Sequence, residues 1–181
     1  MSNEIIIPAI GPGGQLYPIE KLDAHRKGLL HLAISVFVFS GDRLLIQRRA
    51  NAKYHSGGLW ANTCCTHPGW GEDLEMAAHR RLKDELGLSV PSLEGRSVIE
   101  YRAQVSDNLW EHERVHVFCH RFETSLPKLE PAPEEVSAIR WVTELELRTD
   151  MLSNPERFAP WFRIYVSRWD ELNLLGDAPV V

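Results

Sequence analysis

The longest apolar stretch in the chain, Leu32-Ala33-Ile34-Ser35-Val36-Phe37-Val38-Phe39, is eight residues long. It falls far short of the roughly 18 residues needed to cross a bilayer, and its β-branched and aromatic content reads as a buried strand. Gly41-Asp42 makes a turn, and Arg43 to Arg48 returns as the hairpin partner. After an irregular stretch from Ala50 to Gly71 comes the clearest helix. Leu74, Ala78, Leu82 and Leu86 recur every four residues, Glu72 and Asp73 suit a positive first turn, and Gly87 is a natural stop.

Around these two features the pattern is irregular. Ile5-Ile6-Ile7 reads as a short strand, Gly11 to Gly14 as a turn, and Ile19 to Lys27 as a short helix. Strands follow at about Ser97 to Val105 and Trp110 to Phe122, joined by a Ser106-Asp107-Asn108 turn. Then come an acidic loop from Pro127 to Glu135, a short strand from Ala138 to Val142, and a long helix from Pro155 to about Asn173. This order predicts an α+β fold or an α/β/α sandwich rather than a regularly wound sheet. The length of 181 residues, with no repeat or linker, predicts a single domain over 1–181 with its core at about 21–165.

A chain of this size buries enough surface to fold without staples, so its three cysteines need another explanation. An odd count and no charged, apolar leader predict free thiols in a reducing, cytoplasmic compartment. Twenty Lys and Arg against 25 Asp and Glu leave a net charge of −5, which argues against a nucleic-acid backbone reader. A small phosphorylated ligand remains compatible, provided a few basic groups or a metal converge. Nothing in the sequence sets the oligomeric state.

Several residues could carry chemistry. In Trp110-Glu111-His112-Glu113-Arg114-Val115-His116-Val117, alternation puts Glu111 and Glu113 on the face of Val115 and Val117. Two buried carboxylates there would call for a cation, and the plainer alternative is a flipped or edge strand with both in solvent. Glu85 falls at the border of the helix stripe, one turn after Arg81; it reads as a half-buried ligand or as half of an ordinary surface ion pair. The loop Trp60-Ala61-Asn62-Thr63-Cys64-Cys65-Thr66-His67-Pro68 places two thiols close to a histidine, a poor match to a structural zinc site. Each thiol is a nucleophile, an acid/base or an inert packing group. With His25 and His31, the separated segments offer three imidazoles and two carboxylates, a ligand field suited to Mn²⁺, Mg²⁺, Fe²⁺ or Zn²⁺. Phe158, Trp161, Phe162, Tyr165 and Trp169 form an aromatic stripe, in which Trp161 follows Pro160.

Taken together, WANTCCTHP (Trp60 to Pro68), RRLKDELGL (Arg80 to Leu88), YRAQ (Tyr101 to Gln104), WEHE (Trp110 to Glu113) and FAPW (Phe158 to Trp161) resemble the type I isopentenyl-diphosphate isomerases, a resemblance that implies an α+β fold, a Nudix-like α/β/α sandwich with a mixed β-sheet. The matching order runs from about Lys21 to Trp161. The resemblance implies a divalent metal, Mn²⁺ or Mg²⁺ with Zn²⁺ possible, held by His25, His31, His67, Glu111 and Glu113. It implies Cys65, not Cys64, as one acid/base group and Glu113 as the other, with Tyr101 as its helper and Trp161 as the aromatic wall. Glu85 would hold a Mg²⁺ that arrives with the diphosphate, and Lys21, Arg49, Lys53 and Arg81 would bind that diphosphate.

A hydrolytic Nudix box reads G-x5-E-x7-R-E-U-x-E-E-x-G-U, with U a bulky aliphatic residue. Here Thr66 stands for its glycine and Arg81 for the Glu after Arg80, while Glu72 and Asp84-Glu85 match. The competing expectation, a Nudix-type pyrophosphohydrolase of nucleoside diphosphate derivatives, loses a metal ligand by this. A non-catalytic metal- or phosphate-binding domain would leave Cys65 and Glu113 without a role.

Overall fold

The computed structural model describes residues 5–123 and 126–175; residues 1–4, 124–125 and 176–181 of the expected 1–181 domain lie outside it. The buried hairpin is at its centre. Strand β3 (His31–Ser40) turns at Gly41 into β4 (Arg43–Arg49), and both are covered on each face. One edge of β3 is taken along its length by β8 (Leu109–Phe122), which runs parallel to it from His31↔Glu113 to Ser40↔Phe122. The other edge is shared in succession by β1 (Ile6–Ile10), the short β6 (Cys64–Thr66) and β4, all antiparallel. Strand β7 (Glu94–Ser106) extends the sheet beyond β8, while β9 (Val136–Thr143) and the two-residue β5 (Trp60–Ala61) pair with β4. The sheet is therefore mixed, as expected.

Alternation along β3 supplies two cores. Ala33 and Phe37, with the same-face residues of β7 and β8, pack under the C-terminal helices, whereas Ile34, Val36 and Val38 face α2 (Leu74–Leu86) through Ala77, Ala78, Leu82 and Leu86. These are the outer layers of the sandwich. The α2 boundaries match the sequence reading: Asp73 caps the helix by accepting from the Glu75 and Met76 amides, and Gly87 ends it at φ 62°.

Several elements differ from expectation, the short strands β5 and β6 within the stretch read as irregular among them. Leu16–Glu20 is an edge strand, β2, paired only with β1, and the helix α1 (Lys21–Lys27) starts two residues later than the expected Ile19. Pro18 lies opposite Pro8 in this pair, the edge position that a residue without an N–H tolerates. Glu144–Ser153 forms a helix, α3, that was not predicted, although Thr143 and Glu146 make a reciprocal capping box at its start. The long C-terminal helix is divided into a 3₁₀ turn at Pro155–Arg157, α4 (Pro160–Ser167) and α5 (Trp169–Leu172). Pro160 has no amide to continue a helix through Phe158 and Ala159, but it is well placed as the first residue of a new one. Among the described residues, no helix is long and apolar enough to cross a membrane.

Candidate active site

The register around β3 decides which thiol is available. Directly paired residues share a sheet face, so Ser35↔Cys65 puts Cys65 on the face of His31, Ala33 and Phe37, and Val36↔Cys64 sends Cys64 into the α2 core. Cys64 is fully buried, Cys65 is half-buried, and Cys119 is buried on β8; all three are free. The sequence put Cys65 on a loop, whereas it sits on a short strand, which fixes its direction more firmly.

Cys65 is held from two sides. Asn62 donates both its amide hydrogens to backbone, to the Val36 carbonyl at 3.2 Å and the Cys64 carbonyl at 3.1 Å, so its Oδ1 must accept from the Cys65 thiol at 2.9 Å. Ser35 Oγ lies 3.2 Å from the sulfur and donates to the Tyr165 hydroxyl at 2.8 Å. Burial pushes the Cys65 thiol up to about 12, so it carries its proton at neutral pH. Asn62, Ser35 and Tyr165 were missed by the sequence reading; the one readable signal was Asn62, three residues before Cys65 in the same loop motif.

Across β3, Glu111 and Glu113 project from β8 on this same face, 4% and 5% exposed. They are not on a flipped or edge strand. The Tyr101 hydroxyl, from the cross-strand partner of Glu113, donates to Glu113 Oε2 at 2.7 Å and to Glu111 Oε2 at 3.1 Å. Burial opposes ionisation of Glu113, but the imidazoles of His67 and His31, 2.9 and 3.6 Å from its Oε1, outweigh it and hold its carboxyl well below the usual range. Burial, and then the Glu113 charge, push the Glu111 carboxyl well above its ordinary value.

The histidines are arranged for a cation. His25 Nδ1 donates to the Lys21 carbonyl and His31 Nδ1 to the Leu29 carbonyl, each at 2.7 Å, which leaves both Nε2 lone pairs facing inward. His25 Nε2 is buried with no hydrogen-bond partner, and burial lowers that ring to about 4, so it stays neutral. His31 Nε2 and His67 Nε2 lie 3.1 Å apart. Donor atoms of His25, His31, His67 and Glu113 all fall within 4.8 Å of one another, as do those of His25, His55 and Glu111. Inward lone pairs, one of them orphaned, beside two buried carboxylates fit a divalent cation.

A cavity of about 390 Å³ opens on this face, lined by Cys65, His67, Tyr101, Glu111, Glu113 and Trp161 among others. His25 and His31 lie buried just behind its wall. All four predicted basic residues, Lys21, Arg49, Lys53 and Arg81, reach it, so the globally acidic chain has a locally basic cup. Burial, followed by the charges of Arg49 and Arg81, lowers Lys21 to about 8. Arg49 lies 5.3 Å over the Trp161 ring. Glu85 is 5% exposed, ion-paired with Arg81 and accepting from Gln47 at 2.7 Å, so the pair with Arg81 is not the ordinary surface one. Glu135, also missed, pairs with both Lys53 and Arg81.

A family model described as the NUDIX domain matches residues 29–162. The chain is 51% identical over 168 residues to the isopentenyl-diphosphate Delta-isomerase of Cereibacter sphaeroides, covering 93% of this chain and 94% of that one. It is 52% identical over 155 residues to the enzyme of the same name from Rhodobacter capsulatus, covering 86% and 88%. Among solved structures, DR0079 from Deinococcus radiodurans superimposes with a TM-score of 0.72 at 16% identity, covering 90% of this chain and 98% of that one. The MutT protein of Methanosarcina mazei Go1 gives 0.59 at 14% identity, covering 80% and 95%. These two show likeness of fold alone.

Proposed function

The chain belongs to the Nudix family and, within it, to the isopentenyl-diphosphate Delta-isomerases, and from that premise we propose how its residues perform the reaction. It is an isomerase, acting on a small diphosphate. Shifting the double bond of isopentenyl diphosphate to give dimethylallyl diphosphate requires a proton added at one carbon and another removed nearby, through a tertiary carbocation. Two acid/base groups must reach one substrate, and one must be protonated while the other is free.

One observation carries this reading: Cys65 and Glu113 sit on strands flanking β3, on one sheet face, and line one cavity. Cys65 holds a proton on sulfur, with Asn62 and Ser35 fixing its direction. Glu113 is kept ionised by the imidazoles of His31 and His67 and oriented by Tyr101, and Cys65 and Glu113 exchange roles when the reaction runs backwards. Trp161 walls the pocket, and its π face stabilises a developing cation by about 2 kcal/mol or more once water is excluded, without trapping it as a nucleophile would. Lys21, Arg49, Lys53 and Arg81 bind the diphosphate, and Glu85 takes the Mg²⁺ that accompanies it. His25, His31, His67, Glu111 and Glu113 hold a divalent ion, Mn²⁺, Mg²⁺ or Zn²⁺, whose fixed positive charge tunes proton affinity beside Glu113. Free thiols and a water-soluble substrate support a single-domain enzyme working in the cytoplasm.

The hydrolase alternative is disfavoured by the isomerase relatives at about 50% identity and by Arg81 where the hydrolytic box has a Glu. The deciding experiment incubates the protein with isopentenyl diphosphate and Mg²⁺ in D₂O. Dimethylallyl diphosphate with deuterium incorporated is expected; phosphate release without exchange would overturn the reading.

A further inference from the structure

The five proposed metal ligands do not form one tight group on their own. His25, His31, His67 and Glu113 gather on one side, and Glu111 meets His25 only in company with a residue outside that set, His55. We propose that His55 is a sixth donor to the same ion, a reading that rests on the metal-centred isomerase site above.

Three observations carry it. First, His55 is buried, its side chain 5% exposed, and its Nε2 lies 3.8 Å from Glu111 Oε1. That is too long for a hydrogen bond, yet it is within the roughly 3–4.4 Å that separates two atoms each about 2.0–2.2 Å from one metal ion. Second, the two groups share His25, whose Nδ1 is spent on the Lys21 carbonyl. Only its Nε2 lone pair remains, and one lone pair serves one ion, so both groups converge on a single centre. Third, Tyr101 engages Oε2 of both Glu111 and Glu113. This leaves each Oε1 facing imidazoles, Glu113 toward His31 and His67, Glu111 toward His55.

His55 is held for this role by packing. Its ring stands edge-on to Tyr54 at 4.3 Å and to Trp161 at 5.8 Å, and lies stacked 6.1 Å from His25. A donor set of four imidazoles and two carboxylates is richer in nitrogen than Mg²⁺ prefers, and it selects a first-row transition ion such as Mn²⁺, Fe²⁺, Co²⁺ or Zn²⁺. It also links the metal centre to the aromatic wall of the pocket through one side chain.

The test uses chelator-stripped full-length protein loaded with Co²⁺ alone and read by proton NMR, in which each coordinated imidazole contributes one hyperfine-shifted, exchangeable N–H signal. Four such signals are expected in the wild type, and three in His55→Ala and His55→Phe, the second variant preserving packing against Tyr54 and Trp161. Co²⁺ affinity, measured by calorimetry, should fall about 10–100-fold or more in both variants. Three signals in the wild type, with affinity unchanged in the variants, would overturn the role of His55 and leave the five-ligand centre standing. No shifted signals at all would overturn the metal centre itself.

Discussion

Tyr101 and Glu113 are direct cross-strand partners on β7 and β8, and the Tyr101 hydroxyl donates to Glu113 at 2.7 Å while also reaching Glu111. One phenol therefore satisfies an oxygen on each of two buried carboxylates. Tyr101→Phe keeps the ring in the core but removes the one proton that the two oxygens share, at a cost of about 1–3 kcal/mol. We expect kcat to fall about 10–100-fold, with a loss of a few degrees in Tm, measured by isomerase assay and thermal melt.

The register predicts different fates for adjacent thiols. Cys65→Ala should abolish interconversion of the two five-carbon diphosphates. Cys64→Ala removes a sulfur from the α2 core, so it should cost about 1 kcal/mol of stability and keep most of the activity. Equal activity losses in the two variants would contradict the assigned β6 register.

Asn62 is wholly buried and makes three hydrogen bonds. Asn62→Leu has similar volume but removes one donor from each of two backbone carbonyls and the acceptor of the Cys65 thiol, for an expected loss of about 1–3 kcal/mol in a urea titration. Asn62→Asp should lose more, because a carboxylate would face two carbonyl oxygens.

Lys21 titrates at about 8 in the fold, against an ordinary 10.5. Below that pH it is an ammonium and contributes to the basic cup; as pH rises through 8 it loses its charge and diphosphate binding weakens. The kcat/KM for isopentenyl diphosphate should therefore decline above pH 8. The kcat should decline less, because bound diphosphate restores the ammonium form. Lys21→Arg should move the decline to higher pH.

Stripping the metal should destabilise the fold, since the proposed ligands come from separated strands and loops and are gathered only on folding. At a metal concentration 1,000-fold above its dissociation constant, the linkage is about 4 kcal/mol. For a chain of this size we expect chelation to lower Tm by about 10 °C, with recovery on adding back Mn²⁺ or Co²⁺.

The parts of the molecule legible in its sequence were those with strong periodicity or punctuation: β3 and β4, the α2 stripe with its Asp73 and Gly87 ends, and the inward face of β8. The site residues were named mainly through a family resemblance, and the cavity gathers them or, for His25 and His31, lies against them. What local pattern could not give was tertiary. His55 looks like one of eight scattered histidines until Glu111, 56 positions later, is brought to its side. Ser35 and Tyr165 bond to each other across 130 positions. Pro160 was read as a residue inside a helix because the aromatic spacing continues through it, whereas its missing amide divides the segment.

The pairing of Ser35 with Cys65 also governs how the molecule withstands insertions and deletions. A change in length between Arg49 and Trp60 lies before the short strands and leaves the thiol where it is. A one-residue slip of β6 would bring Cys64 opposite Ser35, and the pocket would still contain a cysteine. It would no longer contain a working acid, because Ala61, not Asn62, would stand three residues before that thiol, and His67 would turn to the far face of the sheet. Replacing one thiol by its neighbour therefore preserves composition and destroys chemistry. A tandem cysteine here is no spare part, and variants that restore a thiol in the pocket without restoring register should remain inactive.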